Sequence, residues 1–243
     1  MRAVLLNSRT ALIFLYCDME VIYEDNHIIV VNKSSSEIVQ GDKTGDKPLS
    51  EIVKEWLKEK YNKPGNVFVG VTHRLDRPVS GIVVFAKTSK ALSRLNEMFR
   101  TGDVKKTYWA IVKNEPKQPE GELRHWLVRN EKQNKSYAYD KEKPNSKLAI
   151  LDYKLLAKSD RYNLLEVDLK TGRHHQIRCQ LAKMGCVIKG DLKYGADRSN
   201  PDGGISLHAR RIRFIHPVSK EEIVIEAPVP NDSLWKAFEQ TQK

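Results

Sequence analysis

Cysteine is scarce and scattered in this sequence. There are three, Cys17, Cys179 and Cys186, an odd number without a Cys-x-x-Cys pair. Neither a disulfide framework nor a cysteine zinc site is expected, and a reducing, cytoplasmic setting fits best. His-Glu-x-x-His and Gly-x-x-x-x-Gly-Lys-Ser/Thr are both missing, which excludes the common zinc-hydrolase and P-loop arrangements. No apolar run approaches the roughly 18–20 residues that a membrane span needs, so no membrane partner is expected. Acidic residues are also few: 31 Asp and Glu stand against 42 Lys and Arg, a net charge of +11 on 243 residues. Such a surplus points to a polyanionic partner, nucleic acid ahead of an anionic membrane.

What remains is an ordinary globular composition, 40% hydrophobic and 30% charged, without repeats or low-complexity blocks. Residues 1–18 hold a short apolar run that ends in Tyr16-Cys17-Asp18. The small residues of a signal-peptidase site are not there, so this stretch reads as a short N-terminal extension, or as a start called too early with Met19 as the true start. Residues 19–243 show no strong linker and are expected to form one domain.

Leu49, Ile52, Val53, Trp56 and Leu57 recur at helical spacing. So do Leu92, Leu95 and Phe99, with Gly102 as a C-cap; Ile177, Leu181 and Met184, stopping at Gly185; and Leu234, Trp235 and Phe238. Strand-like runs fall at residues 27–32, 67–71, 81–86, 106–112, 148–156, 163–169, 207–215 and 222–226. Residues 121–145 are charged and read as a mobile excursion. Strands outnumber helices and do not alternate strictly with them. This predicts an α+β fold with a mainly antiparallel mixed sheet flanked by helices and loops.

The densest chemistry lies in Thr72-His73-Arg74-Leu75-Asp76-Arg77-Pro78-Val79-Ser80-Gly81, a turn-rich loop between two strands. An aspartate beside arginine is ordinarily a solvated ion pair of little consequence. The functional alternative is a carboxylate kept anionic by its neighbours and held by a rigid sheet where a nucleophile or base is needed.

His73-Arg74-Leu75-Asp76 with Ser80-Gly81 and the apolar strand that follows resembles the signature of the RluA-like family of RNA pseudouridine synthases. Further blocks follow in order: Lys106-Thr-Tyr108-Trp-Ala110, Thr171-Gly172-Arg173-His174-His175-Gln176-Ile177-Arg178, Gly190-Asp191-x-x-Tyr194-Gly195, and Leu207-His208-Ala209 through Phe214-x-His216-Pro217. The resemblance spans about Glu20 to Pro230, and ordered blocks are far more specific than one motif.

The resemblance implies the pseudouridine synthase catalytic fold and isomerisation of uridine to pseudouridine in ribosomal RNA or tRNA, with no cofactor and no metal. By family position Asp76 is the catalytic aspartate and Tyr108 the active-site tyrosine. Arg173 is taken as the arginine that pairs with Asp76, and Ile177 forms an apolar wall beside the base. Arg74 is expected near the space vacated when the target base leaves its stack. His73, Arg77, Lys106, His208 and Arg210 are candidate RNA contacts, with Lys105 beside them. Taken singly each is an ordinary polar or charged group; together they fit the basic surface of an RNA-binding protein. A monomer is the expected state.

The sequence also departs from the family. The usual Asn-Lys-Pro-x-Gly is here Asn32-Lys33-Ser34-Ser35-Ser36, which predicts a more flexible loop. His174 stands where threonine is common. If residues 174 and 175 were both helical, their side chains would point about 100° apart, a poor metal-chelating pair. The S4-type RNA-binding module of many relatives has no counterpart in residues 1–18. A non-catalytic RNA-binding or RNA-folding protein would explain the charge equally well, but would not need Asp76, Tyr108 and Arg173 in their family positions. A glycosidase would want a second catalytic carboxylate; Asp191 is available, but its block reads as structural.

Overall fold

A computed structural model describes residues 19–242. The expected N-terminal extension, residues 1–18, lies outside the described residues. The fold is α+β, as the strand and helix pattern predicts. Eleven strands form one open sheet: β1 (Glu20–Glu24), β2 (Ile28–Lys33), β3 (Gly70–Val71), β4 (Ser80–Ala86), β5 (Lys105–Val112), β6 (Glu120–Asn130), β7 (Lys135–Tyr139), β8 (Lys147–Lys158), β9 (Asn163–Leu169), β10 (Leu207–Ile215) and β11 (Glu222–Glu226). The order is β1-β2-β4-β10-β5-β9-β8-β6-β7, with β3 on β4 and β11 on β10. Pairing is antiparallel except between β4 and β10. The α-helices among the described residues are α1 (Leu49–Lys60), α2 (Ser89–Thr101), α3 (Gln176–Lys183) and α4 (Ser233–Gln240).

Helix α2 starts as its sequence asks. The Thr88 hydroxyl accepts from the Ala91 amide, and Gly102 ends the helix in a left-handed conformation at φ 82°. Those two caps satisfy backbone groups at both ends. Residues 121–145 correct the expectation of a mobile excursion. Residues 121–139 lie in β6, β7 and the turn between them, a hairpin in which Trp126 pairs with Tyr139 and Asn130 with Lys135. The sequence pattern did not reveal these strands, because the surrounding charge hides a strand that packs on one face alone.

β4, β10 and β5 form the middle of the sheet, and period-2 alternation divides their side chains between two environments. One face of β5 carries Tyr108 and Ala110 into the main core with Val167, Leu207 and Ile177. The other carries Trp109 and Ile111 into a cluster with Leu164, Trp235 and Phe238 beneath α4. At Gly81 the chain enters β4 so close to β10 that a Cβ would collide with the backbone of Ala209, and φ there is +110°. Only glycine fits that approach, which accounts for the Ser-Gly end of the aspartate motif.

The Ser34–Ser36 loop corrects a second expectation. It is bonded at several points: Ser35 Oγ donates to Asp202 Oδ2 at 2.6 Å, Ser36 Oγ to the Asp202 carbonyl at 3.2 Å, and the Ser36 amide to the Arg77 carbonyl at 3.0 Å. Ser36 holds φ 75°, the left-handed conformation that a glycine would adopt without strain. Tertiary hydrogen bonds thus impose the loop shape that its residues do not favour.

Candidate active site

Asp76 lies on the loop between β3 and β4, where the Val79 amide closes a turn on its carbonyl at 3.0 Å. The next residue is clamped twice. The Lys33 ammonium donates to the Arg77 carbonyl at 3.1 Å and to the Ser34 carbonyl at 2.7 Å. Lys33 is 1% exposed, and burial pulls its pKa down to about 8, against the opposing pull of Glu37 and Asp76. The Arg77 guanidinium reaches the other way, to Asp46 at 2.6 Å, the Thr44 hydroxyl at 2.7 Å and Asp42 at 3.4 Å. Arg77 therefore anchors the loop to residues 42–46 and does not line the cleft.

The carboxylate faces a cleft of about 920 Å³. His73, Arg74, Phe99, Lys105, Lys106, Tyr108 and Leu207 line it, together with residues 169–178. The sequence-derived residues His73, Arg74, Asp76, Lys106, Tyr108, Arg173 and Ile177 thus share one cavity. His208 and Arg210 do not, and both are corrections. They project from β10 on the side opposite Leu207. His208 is fully buried, with Nδ1 2.9 Å from Ser80 Oγ and its ring edge-on to Trp235. Arg210 sits 4.6 Å over the Trp109 ring and 3.2 Å from Glu239 of α4. Strand parity, which the motif reading did not apply to β10, puts both beneath α4 and away from the cleft.

The largest correction concerns the arginine. Arg173 lies at the cleft rim, and its Nε donates to the Leu148 carbonyl at 3.0 Å. The arginine on Asp76 is Arg178, whose Nη1 is 3.0 Å from Asp76 Oδ2. Arg178 is 5% exposed. Its other edge grips Asp191 in a fork, Nε to Oδ2 at 2.7 Å and Nη2 to Oδ1 at 2.8 Å. Burial acts against its charge, but Asp191 and Asp76 outweigh it and raise the pKa. Asp191, 1% exposed, fixes the orientation of the planar guanidinium. Both arginines stood in one motif; the signal for Arg178 was its place next to Ile177 on the inward side of a helix, where an unpaired cation would not survive.

The Thr-Gly-Arg-x-His-Gln segment builds the turn into α3. Gln176 Oε1 accepts from Thr171 Oγ1 at 2.8 Å and from the Arg173 amide at 2.9 Å, while its Nε2 donates to the Ile150 carbonyl at 3.0 Å. His175 caps the helix at φ 53°, outside the helical region. Its ring therefore stacks on His174, with centroids 3.8 Å apart and planes at 16°, instead of splaying as two helical residues would. His175 Nε2 is 3.4 Å from Asp76 Oδ2. Sequence reasoning weighed His175 only as half of a poor metal-chelating pair and gave it no role beside Asp76.

The histidines here are neutral. Burial, with Lys106 adding to it, pulls His73 down to about 3. The His73 Nε2 accepts the Val84 amide at 3.0 Å, and its ring stacks on Phe99. Burial, then Arg178, pulls His175 to about 2, and burial pulls His208 to about 3. Burial also lowers the Lys106 pKa and, with Asp76, raises that of Tyr108. Since His73, His175 and His208 bind protons more readily unfolded than folded, stability should be full above about pH 6.5 and fall as pH drops towards 3. Each should contribute a slope of up to about 1.4 kcal/mol per pH unit. Urea unfolding at successive pH values checks this; a flat profile from pH 6.5 to 4.5 would mean that these rings titrate freely in the folded protein.

Among the described residues, no group of three His, Cys, Asp or Glu is placed to hold a metal ion, and no helix is long and apolar enough to cross a membrane.

The family model described as RNA pseudouridylate synthase matches residues 27–183. The tRNA pseudouridine synthase C of Vibrio vulnificus is 33% identical over 236 residues, covering 90% of this chain and 93% of that protein. The ribosomal large subunit pseudouridine synthase D of Xanthomonas campestris is 31% identical over 227 residues, 88% of this chain and 67% of that one. The solved structure of human RNA pseudouridylate synthase domain containing 4 superposes with a TM-score of 0.77 at 21% identity, over 96% of this chain and 97% of that chain; at that identity the likeness speaks for the fold.

The chain belongs to the RNA pseudouridylate synthase family, in its RluA-like branch. It is an RNA pseudouridine synthase, an isomerase that turns uridine within RNA into pseudouridine.

Proposed function

We propose that Asp76 is the catalytic carboxylate, that Arg178 takes the pairing role first given to Arg173, and that the substrate is a uridine of tRNA. The observation that carries the site is the Asp76–Arg178–Asp191 array at the floor of the cleft. One guanidinium serves two carboxylates: Asp191 is saturated by the fork, whereas Asp76 keeps oxygen lone pairs directed at the cleft. Its side chain is 30% exposed, open enough to meet a nucleotide.

The reaction breaks the bond from uracil N1 to ribose C1′ and makes one from C5 to C1′. In one route the Asp76 carboxylate attacks C1′, the bond pair leaves on N1, the base turns, and C5 displaces the carboxylate from C1′. In the other Asp76 takes the C2′ proton as the base leaves, giving a glycal, and the proton returns to C2′ when C5 adds. In both, the C5 hydrogen is finally lost as a proton. A carboxylate that is acceptor-only and fixed by one ion pair suits either role. The cleft admits one nucleotide only after it leaves the stack, and Arg74, exposed at the rim, is placed to stack in the gap or meet phosphate. Lys105 and Lys106 lie on the same wall.

Tyr108 and Ile177 would hold the base. Tyr108 is 7% exposed, and burial keeps its hydroxyl protonated, so it offers a stacking face and a proton donor but no phenolate base. Tyr108→Phe separates those roles. If the hydroxyl moves the C5 proton, kcat should fall by about 10²-fold or more with RNA affinity kept; an unchanged kcat would confine Tyr108 to stacking.

tRNA is favoured over ribosomal RNA because the similarity to the tRNA enzyme runs through almost the whole of both chains, whereas the ribosomal enzyme is matched over 67% of its length. Residues 19–243 are read as one catalytic domain, acting as a monomer in a reducing cytoplasm; the free, buried Cys179 and Cys186 fit that setting. The test is tritium release from C5-labelled uridine in purified tRNA and ribosomal RNA, with a chelator present. Release from tRNA alone is expected. Release from ribosomal RNA alone would overturn the substrate, and binding of either RNA without release would favour a non-catalytic RNA-binding role.

A further inference from the structure

Behind Arg178 lie three residues that the reaction as read above does not use. His175 Nε2 is 3.0 Å from Arg178 Nη1, and His175 Nδ1 is 3.0 Å from the Tyr194 hydroxyl. That hydroxyl is also 2.9 Å from the Ser136 amide and 3.2 Å from the Ser136 carbonyl.

Counting donors and acceptors selects one arrangement of protons in this chain. The Ser136 amide can only donate and the Ser136 carbonyl can only accept. Tyr194 therefore accepts from the first and gives its own proton to the second. Its remaining lone pair needs a donor, and His175 Nδ1–H is the group that faces it. At the far end Arg178 Nη1 can only donate, so His175 Nε2 must be bare. Both ends of the chain require the same neutral tautomer. The opposite tautomer could turn its Nε2–H towards Asp76 Oδ2 at 3.4 Å, but it would set that hydrogen against Nη1 at 3.0 Å and take the Tyr194 proton away from the Ser136 carbonyl. His175 reaches the position by taking the left-handed conformation at φ 53°, a strain that the surrounding bonds must hold.

We propose that His175, fixed as its Nδ1–H tautomer by Tyr194 and Ser136, is a positioning residue that aims Arg178 at Asp76. Nη1 carries two protons. His175 Nε2 takes one, which turns the other onto Asp76 Oδ2 at 3.0 Å. Asp191 fixes the opposite edge of the same plane. The carboxylate is thus oriented through two intermediaries anchored on β7 and on the turn Leu192–Tyr194. The inference rests on Asp76 being the catalytic carboxylate.

Long-range proton–nitrogen NMR of the imidazoles in the whole protein reads the tautomer directly. A protonated Nδ1 and bare Nε2 on His175 at neutral pH are expected, with mixed tautomers in Tyr194→Phe. A protonated Nε2, or an imidazolium, in the wild type would overturn the proposal. Kinetics on RNA give the second readout. His175→Phe keeps a ring to stack on His174 and removes both nitrogens, so kcat should fall about tenfold or more while KM stays within about twofold. His175→Gln, whose amide oxygen can accept from Nη1, should recover most of that loss. Equal losses in the two variants, a change in KM alone, or no change in kcat would each defeat the positioning role. If His175→Phe does not fold, Tyr194→Phe is held to the same kcat and KM criterion. Asp76→Asn is assayed beside them: an active Asp76→Asn enzyme removes the premise and leaves the tautomer result standing.

Discussion

Asp76→Asn should abolish pseudouridine formation, by on the order of 10⁴-fold or more, while the protein stays folded and binds RNA. The substitution keeps the size of the side chain and removes the group proposed to attack C1′ or take the C2′ proton. An amide has neither the charge nor the basicity for either step. The fold should not suffer, for a reason visible in the site. Arg178 is shared by two carboxylates, and its bidentate partner is Asp191. With Asp76 neutral, one guanidinium still faces one carboxylate, so no buried charge is orphaned. Stability is expected within about 1 kcal/mol of wild type. Tritium release measures the activity, and denaturant titration measures the stability. Turnover near wild type would remove Asp76 from the chemistry; loss of folding would mean that the Asp76–Arg178 pair is structural.

Arg178→Met should damage both properties. Methionine fills much of the same space but leaves Asp191, 1% exposed, without its cation. Breaking a buried pair on one side typically costs about 3–5 kcal/mol. Activity should also fall by about 10²-fold or more, because Asp76 loses the contact that orients it. Arg178→Lys sharpens the prediction. It restores a positive charge but not the fork, and one ammonium cannot span Asp191 and Asp76 as the planar guanidinium does. Part of the stability should return and little of the activity. Arg173→Met is the control: its Nε bond to the Leu148 carbonyl is a rim contact, and its loss should leave kcat within about threefold, with any larger effect falling on RNA affinity. If Arg173→Met abolished kcat and Arg178→Met did not, the assignment made here would be reversed.

Much of this protein could be read from local pattern. The apolar stripes of α1, α2, α3 and α4 follow helical period, and Gly102 ends α2 where a glycine C-cap belongs. The α+β class followed from strands that do not alternate strictly with helices. The motif around Asp76 located the cleft, because the short loop from β3 to β4 must present that residue at the sheet's centre. Hidden from local pattern were β1 and the β6–β7 hairpin, where charge masks a one-sided strand. The bonded Ser34–Ser36 loop was hidden too, because its partners at Asp202 and Arg77 are remote in sequence.

By itself the sequence determined the class of fold and the family, and it singled out the carboxylate proposed to react, because periodicity, turn residues and ordered motifs are written along the chain. Tertiary structure alone decided which groups surround that carboxylate. Arg173 and Arg178 are equivalent as letters; the turn fixed by Gln176 and the left-handed His175 send one to the rim and the other onto Asp76 and Asp191. His208 and Arg210 looked like RNA contacts until strand parity on β10 placed them beneath α4. Charge pairing depends on direction as well as residue type, and direction is set where distant segments meet.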